Sequence, residues 1–328
     1  MTFLVYALKN LRALVVFPIF YFLSLVWLFV HHLRLRFGKY EKMPVPVICV
    51  GNITLGGAGK TPTVIFLASY LKKNNINVHV VSRGYGGKYK DAVCVDRRHH
   101  NAADVGDEPL LVSRYAKVWV SRKKKEGIFS AYQAGADLVL LDDGYQNFSI
   151  EKNISILVFD AELSLKNERI FPRGNLRETL LSALFRADFL ICIGSPTSRK
   201  KFREDFLQHH NSKIVEGEFK PNIIAKLKKR KLVAFCGIGR PEKFFSMLKK
   251  LNMEVIQQLS FPDHHVYSET QLTKILETAN KDNALVVTTE KDYVKLSSNF
   301  KKVIHPINIE LHLSKNKKLL EELRSLAS

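Results

Sequence analysis

The sequence contains only four cysteines among its 328 residues, and they lie far apart. Cys49, Cys94, Cys192 and Cys236 have none of the paired spacings that zinc sites use, and they do not resemble the dense pattern of a disulfide-stabilised domain. Neither kind of site is indicated, and a reducing compartment fits this cysteine usage best.

Acidic residues are also scarce relative to basic ones: 31 aspartates and glutamates stand against 51 lysines and arginines, which gives a net charge of +20. Such an imbalance predicts an anionic partner, whether nucleic acid, an acidic membrane face or a phosphorylated substrate. Apolar residues make up 46% and charged residues 25%, and low-complexity segments are lacking. These proportions exclude long disorder and fibrous repeats, and the length predicts about two domains.

Charge is absent altogether from residue 13 to residue 30, a length near the lower limit for a helix that spans a bilayer. A basic segment follows and predicts a cytoplasmic location for the C-terminal side. The run ends in bulky residues and not in a small-residue cleavage site, so we expect an uncleaved, membrane-associated helix over residues 1–36. It could span the membrane or lie in one leaflet. Pro18 keeps open the alternative of a buried helix in a soluble domain.

A glycine-rich loop stands between a predicted buried strand at residues 45–50 and a helical pattern at residues 64–71. Such a loop exposes backbone N–H groups at the positive end of a helix, where phosphate oxygens bind. The segment matches the nucleoside-triphosphate loop motif except that Thr54 replaces its first glycine. Lys60 is expected to reach the terminal phosphates and Thr61 to bind Mg²⁺. The predicted nucleotide-binding residues are Thr54, Leu55, Gly56, Gly57, Ala58, Gly59, Lys60 and Thr61.

Two further predicted strands, at residues 136–141 and 157–160, end in aspartates. Ligands gather outside the carboxyl ends of strands in an open parallel sheet, and carboxylates there suit Mg²⁺. The adjacent pair Asp142 and Asp143 is the stronger candidate, because Asp160 alone could equally be a turn or capping residue.

Two loops rich in turn-forming residues, at 82–87 and 104–109, are expected at the same sheet edge. Asp107 and Glu108 could supply a general base there, or Glu108 with Pro109 could simply begin a helix. Further along, Arg173 and Arg177 suit bidentate binding of phosphate oxygens, although surface arginines are common in so basic a protein.

The charged stretch between residues 194 and 226 is predicted to be irregular and to end at a domain boundary. A second α/β unit of ordinary domain size follows. Its loop holds Asp263 beside His264, where a carboxylate could orient the imidazole, or the loop could be a solvated turn. The predicted division is therefore an N-terminal helix at 1–36, a P-loop NTPase-like parallel-sheet α/β domain at 37–225 and a smaller α/β domain at 226–328.

Seven features occur in order: the apolar N-terminus and residues 51–62, 82–86, 105–109, 142–146, 172–178 and 261–264. Together they closely resemble the tetraacyldisaccharide 4'-kinases, the lipid A 4'-kinases of Gram-negative bacteria, over nearly the whole chain. The resemblance implies ATP-dependent phosphorylation of the 4'-hydroxyl of an acylated glucosamine disaccharide 1-phosphate, which forms lipid IVA in lipopolysaccharide biosynthesis. It also implies an anionic inner-membrane surface as partner, and work at its cytoplasmic face.

The resemblance further implies a site in a cleft between two α/β/α domains. Lys60 would bind the phosphates of ATP as part of the catalytic set, and Asp107 would be the base, paired with His264 from the second domain. Glu108 and Arg177 would lie near the substrate or its phosphate. The side chains implied around Mg²⁺ are Thr61, Asp142, Asp143 and Gln146.

Two other classes of protein share some of these sequence features. A membrane-anchored ATPase would share the loop and the aspartate pair but would not need a group that activates an acceptor. A nucleic-acid-binding protein is suggested by charge alone, because the basic runs are not interleaved with aromatic residues and no recognition motif is present. No nucleic-acid partner is therefore expected.

Overall fold

The computed structural model describes residues 2–326 apart from 164, 166–168, 208–212, 223, 224 and 228. For residues 2–16 and 225 it describes the backbone alone. The helices are α1 Thr2–Phe37, α2 Lys60–Lys73, α3 Ala102–Val105, α4 Asp107–Val112, α5 Lys124–Gln133, α6 Leu180–Phe185, α7 Pro196–Phe206, α8 Pro241–Lys250, α9 Glu269–Lys281, α10 Glu290–Tyr293, α11 Ser298–Lys301 and α12 Lys317–Ser325.

The strands alternate with these helices along the chain, as the α/β prediction required. They are β1 Val47–Gly51, β2 Val78–Ser82, β3 Val93–Cys94, β4 Lys117–Val120, β5 Leu138–Asp142, β6 Ile154–Asp160, β7 Phe189–Ile193, β8 Ile214–Asn222, β9 Lys231–Cys236, β10 Glu254–Ser260, β11 Leu285–Thr289 and β12 Ile304–Ser314.

The described strands form one 12-stranded sheet in the order β10-β9-β11-β12-β8-β7-β6-β1-β5-β2-β4-β3. Neighbours are parallel except for the pairs β3 with β4 and β8 with β12. Helices cover buried, apolar strands such as β1, β5 and β6, as parallel sheets require. The predicted α/β class with a parallel P-loop sheet is thus confirmed.

The pair β8 and β12 joins the two parts of the sheet. The first residues of β8 run parallel to β7, while residues 216–222 run antiparallel to residues 308–314 of β12. The prediction of an irregular chain between residues 194 and 226 is wrong, because α7 and β8 lie there. Side chains in the first four residues of β8 alternate between half-buried and buried and those after them between exposed and half-buried, so its few apolar residues do not form a continuous run.

The C-terminal helix α12 packs back onto the first part of the chain. Its Leu319 and Leu323 are buried in one apolar cluster with Val64 and Leu67 of α2. The chain beyond residue 226 therefore shares a hydrophobic core with α2, the helix after the glycine-rich loop. The predicted division into two domains between residues 225 and 226 stays a prediction.

The helix α1 continues through Pro18, and most of its described apolar side chains are exposed. Phe22 and Phe29, for example, are 65% and 64% exposed, whereas Ser24 is buried. Among the described residues one segment, Phe17–Phe37, is long and apolar enough to cross a membrane. A buried core helix, the alternative that Pro18 left open, does not fit this exposure. The side chains of residues 13–16, the first part of the uncharged run, lie outside the described part of the structure.

Candidate functional site

The glycine-rich loop connects β1 to α2, which begins at Lys60. Gly56 and Gly59 have positive φ angles of 105° and 92°. Residues with a Cβ atom adopt this backbone conformation only with strain. Thr54 is not among the described residues with positive φ, which explains why a threonine can stand at the motif's first glycine position. Its backbone instead forms an antiparallel bridge with Leu176.

Asn52 organises this loop from its buried position after β1. Its amide nitrogen donates hydrogen bonds to the backbone oxygens of Thr54 at 2.9 Å and of Gly56 at 3.4 Å. Its Oδ1 accepts a hydrogen bond of 3.1 Å from Nζ of Lys60. The lysine is thereby held over the loop, where a phosphate group would compete for it.

The two aspartates lie at the carboxyl end of β5, beside β1. Asp142 is 2% exposed, and its Oδ2 accepts a hydrogen bond of 3.0 Å from Oγ of Ser82. Its buried Oδ1 has no hydrogen-bond partner among the described residues. An unpaired buried carboxylate oxygen is costly, and a bound cation would satisfy it.

Asp143 faces the cations of the site. Nη1 and Nη2 of Arg177 donate to its two oxygens at 2.9 and 3.2 Å, and Nζ of Lys60 lies 3.7 Å from Oδ1. Burial alone would raise the pKa of Asp143, but the charges of Lys60, Arg177 and Lys124 outweigh it and hold that pKa below its ordinary value. Burial, together with the nearby charges of Glu108 and Asp143, raises the pKa of Asp142 to about 6.

Lys124, the first residue of α5, was not assigned a role from the sequence. Its buried Nζ donates hydrogen bonds of 2.6 Å to the backbone oxygens of both Asp142 and Asp143. The contact fixes the turn after β5, in which Asp143 has a positive φ of 50°. The only signal in the sequence was the basic run at residues 122–125, which looks like an ordinary solvated surface.

The second half of the chain contributes His264 to a pair with Asp107. Nδ1 of His264 lies 2.9 Å from Oδ2 and 3.1 Å from Oδ1 of Asp107, the first residue of α4. The hydrogen bond to Asp107 raises the pKa of His264. Burial would raise the pKa of Asp107, but His264 and Lys291 overcome this effect and lower it. Asp107 is thus an anion in contact with a histidine, an arrangement that suits a carboxylate acting as a general base.

Gln146 and Glu178 form a layer of hydrogen bonds behind the aspartates. The Gln146 amide nitrogen donates to the backbone oxygen of Asn52 at 2.9 Å and to Glu178 at 3.0 Å, while its oxygen accepts from Arg177 at 3.2 Å. The fully buried Glu178 also pairs with Arg186. With its oxygen facing a guanidinium, Gln146 braces the loop in this conformation, and its role as an Mg²⁺ ligand stays a prediction.

The apolar helix α1 touches this layer directly. Nε1 of Trp27 donates a hydrogen bond of 2.8 Å to the backbone oxygen of Arg177, and Nε2 of His31 lies 3.3 Å from Glu178. Oγ of Ser24 donates to the backbone oxygen of Ile170 at 3.0 Å. The exposed helix is therefore attached beside the glycine-rich loop and the residues that pack behind it.

The structure brings most predicted site residues to one sheet edge, with the glycine loop and aspartates on one side and Asp107 with His264 on the other. Glu108 forms an ion pair of 3.4 Å with Lys291, a residue for which the sequence indicated no role. Within the described residues, no group of three or more histidine, cysteine, aspartate or glutamate side chains forms a metal site. That Thr61, Asp142 and Asp143 hold a magnesium ion stays a prediction.

A family model described as tetraacyldisaccharide-1-P 4'-kinase, LpxK, matches residues 15–328. This chain belongs to the tetraacyldisaccharide-1-phosphate 4'-kinase family. A tetraacyldisaccharide 4'-kinase of Rhodospirillum centenum is 38% identical over 290 residues, which cover 88% of this chain and 85% of the relative. The corresponding kinase of Parvibaculum lavamentivorans is 42% identical over 270 residues, 80% of this chain and 78% of the relative.

A solved member of the kinase family has the same fold. The crystal structure of LpxK from Aquifex aeolicus in complex with ATP superposes with a TM-score of 0.79 at 28% sequence identity, covering 97% of this chain and all of that chain. The resemblance inferred from the seven motifs is thereby confirmed at the level of family and fold.

Proposed function

We propose that this chain transfers the γ-phosphoryl group of ATP to the 4'-hydroxyl of a tetraacylated glucosamine disaccharide 1-phosphate, giving ADP and the 4'-phosphorylated lipid. The observation that carries the proposal is the placement of the Asp107–His264 pair at the same sheet edge as Lys60 and the aspartates. A hydrolytic ATPase needs the loop and the aspartates but has no acceptor alcohol to activate. A kinase needs both halves of this site.

Each side chain has a defined part in this reaction. Lys60, released from Asn52 and Asp143, binds phosphate oxygens at the N-terminus of α2 and neutralises charge as the bond to ADP breaks. Asp107 accepts the proton of the 4'-hydroxyl as its oxygen bonds to phosphorus, and His264 orients the carboxylate. Arg177 lies beside Asp143, within reach of a phosphate of either substrate.

The residues present fit a magnesium ion. Asp142, with its unpartnered buried oxygen, Asp143 and the Thr61 hydroxyl supply the hard oxygen ligands that Mg²⁺ prefers. When bound, Mg²⁺ would neutralise charge on the nucleotide phosphates. Gln146 supports this group through its hydrogen bond to Asn52.

The proposed lipid accounts for α1 and for the charge of the chain. Acyl chains hold a lipid in the bilayer by about 0.8 kcal/mol per buried methylene, so the enzyme must act at the membrane surface. The exposed apolar face of α1 suits burial in lipid, and basic residues after it suit an anionic surface on the cytoplasmic side. We therefore infer the cytoplasmic face of the bacterial inner membrane as the location.

The test is transfer of label from γ-labelled ATP to the acylated disaccharide 1-phosphate in detergent micelles containing Mg²⁺. We expect labelled lipid with the unmodified protein, and its loss with Lys60→Ala and with Asp107→Asn. Asp137→Asn changes an exposed carboxylate outside the site and is the matched control. Equal ATP hydrolysis with and without lipid, and no labelled lipid, would contradict the proposal and favour the anchored ATPase.

A further inference from the structure

The ammonium group of Lys291 lies beside both His264 and Asp107. Its Nζ is 3.4 Å from Nε2 of His264, 3.3 Å from Oδ1 of Asp263 and 3.4 Å from Oε1 of Glu108. It also lies 3.9 Å from Oδ2 of Asp107. One ammonium group therefore contacts both members of the pair that the proposed function treats as base and partner.

The backbone that carries Lys291 is fixed at both neighbouring positions. Glu290 forms an ion pair of 3.2 Å with Arg114 at the end of α4, on the first half of the chain. Asp292 is completely buried and accepts hydrogen bonds from the backbone nitrogen of Gly237 and the hydroxyl of Tyr267. Lys291 is thus held against His264 by contacts on two sides, unlike a lysine on a free surface.

The charge of Lys291 acts on the protonation of both His264 and Asp107. Its ammonium lies 3.4 Å from Nε2 of His264, and a positive charge at that distance disfavours a second proton on the imidazole. The hydrogen bond to Asp107 favours the protonated ring, and Lys291 opposes it; in the neutral ring a proton on Nδ1 still forms the hydrogen bond to the Asp107 carboxylate. A doubly protonated ring would set an N–H group against the ammonium of Lys291.

We propose that Lys291 is a positioning residue whose charge, close to both members of the pair, opposes a second proton on His264 and keeps Asp107 ionised as the base. The inference rests on the proposed function, because it concerns the same proton transfer. Lys291 acts through His264 and Asp107 and is assigned no contact with substrate.

Other charged groups around the pair set the direction of the expected effect. Asp263 in the loop of His264 favours protonation of the imidazole, Lys295 opposes protonation of Asp107, and Glu108 on α4 forms an ion pair with Lys291 itself. The Tyr85 ring packs 5.3 Å from that of His264. Removing the charge of Lys291 leaves only anions close to His264, so protonation of the pair becomes easier, and the two groups titrate jointly.

The experiment compares the pH dependence of lipid phosphorylation in Lys291→Met, Lys291→Gln and Lys291→Arg with that of the unmodified protein. Since loss of a neighbouring charge moves a pKa by about one unit or more, we expect the acid limb of kcat to move up by about one pH unit in the Met and Gln variants. At a pH on the acid limb the rate should fall by up to about tenfold, because one pKa unit changes the ionised fraction of the base by at most that factor. The Arg variant keeps the charge and should keep the limb in place.

Lys281→Gln is the matched control, because it removes the charge of an exposed lysine in the same half of the chain and outside the site. Its acid limb should not move. Circular dichroism and ATP binding show which variants are folded. If the Met variant does not fold, the Gln variant, which keeps a polar group beside Nε2, provides the uncharged comparison.

Two results would overturn the inference while leaving the kinase intact. In one, kcat falls in both uncharged variants while the acid limb stays where it is in the unmodified protein, which indicates that Lys291 has only a structural role. In the other, the KM for ATP rises and the limb stays, which indicates a phosphate contact. If the unmodified protein labels no lipid, the proposed function fails and this inference fails with it.

Discussion

Burial of Asp142 predicts that this protein, without metal, loses stability as the pH rises. The carboxyl group has a pKa of about 6 in the folded protein, against an ordinary value of 3.8. A raised folded-state pKa means that the folded chain prefers the protonated acid, so its stabilising contribution is complete below the unfolded pKa and disappears as the pH passes 6. The full effect is about 3 kcal/mol, at about 1.4 kcal/mol per pKa unit.

The variant Asp142→Asn removes this titration. Its amide adds a cost of its own, because the buried position of Oδ1 offers no partner among the described residues, but that cost does not depend on pH. The informative quantity is therefore the difference in free energy of unfolding between the unmodified protein and the variant. Between about pH 4.5 and about pH 7.5 this difference should shift by about 2 kcal/mol in favour of the variant.

The assay is urea unfolding followed by far-ultraviolet circular dichroism, in detergent with EDTA to remove divalent cations. Asp143→Asn is the matched control from the adjacent position. The pKa of Asp143 is lowered, so its contribution to stability is lost on acidification, and the corresponding difference should shift in the opposite direction. Parallel pH profiles for Asp142→Asn and the unmodified protein would refute the reasoning, as would identical shifts in the two variants.

Three further results are expected. Glu178→Ala should lower the free energy of unfolding by about 2 kcal/mol in urea titrations, because it removes the buried acceptor shared by the Gln146 amide and the half-buried Arg186; an unchanged midpoint would contradict this. Arg177→Lys keeps the charge but loses the paired hydrogen bonds to Asp143, and kcat for lipid phosphorylation should fall about tenfold or more; wild-type kcat would show that charge suffices. Phe22→Asp with Phe29→Asp should weaken co-sedimentation with anionic vesicles by more than about tenfold while ATP binding persists, and undiminished sedimentation would exclude α1 as the membrane contact.

The parts of the site that the sequence predicted are those whose residues are adjacent in the chain. A strand, a glycine loop and Lys60 at the start of a helix form one local unit, and Asp142 with Asp143 follows its strand directly. Parallel pairing of β1 with β5 then brings the two units together. Topology rules are enough for that step, because neighbouring strands share one carboxyl edge.

The residues that the sequence did not reveal act through contacts distant in sequence. Lys124 reaches backbone oxygens 18 and 19 positions away, and Lys291 is held 183 to 184 positions from the Glu108 and Asp107 that it contacts. Lysine is common in this chain, and nothing in the local pattern distinguishes these two. Their importance comes from burial beside backbone carbonyls or carboxylates, which only the folded arrangement creates.

The family resemblance implied that Asp107 and His264 meet, and the structure supplies the reason. They lie 157 positions apart, and their contact depends on β8 and β12, which carry the sheet from one half of the chain to the other. The motifs alone left open whether His264 belonged to a solvated turn. The hydrogen bond to a buried carboxylate excludes that alternative.

The proposed lipid substrate gives a physical reason for attaching an exposed apolar helix to a phosphate site. Trp27 of α1 donates to the backbone of Arg177, whose side chain holds Asp143, and His31 contacts Glu178, which holds Gln146 against the glycine loop. A substrate anchored in the bilayer presents its sugar only a short distance above the surface. With the helix in that surface, the same contacts would hold the proposed phosphate-binding residues at the height of the sugar, so that neither lipid nor protein has to leave the membrane for the reaction.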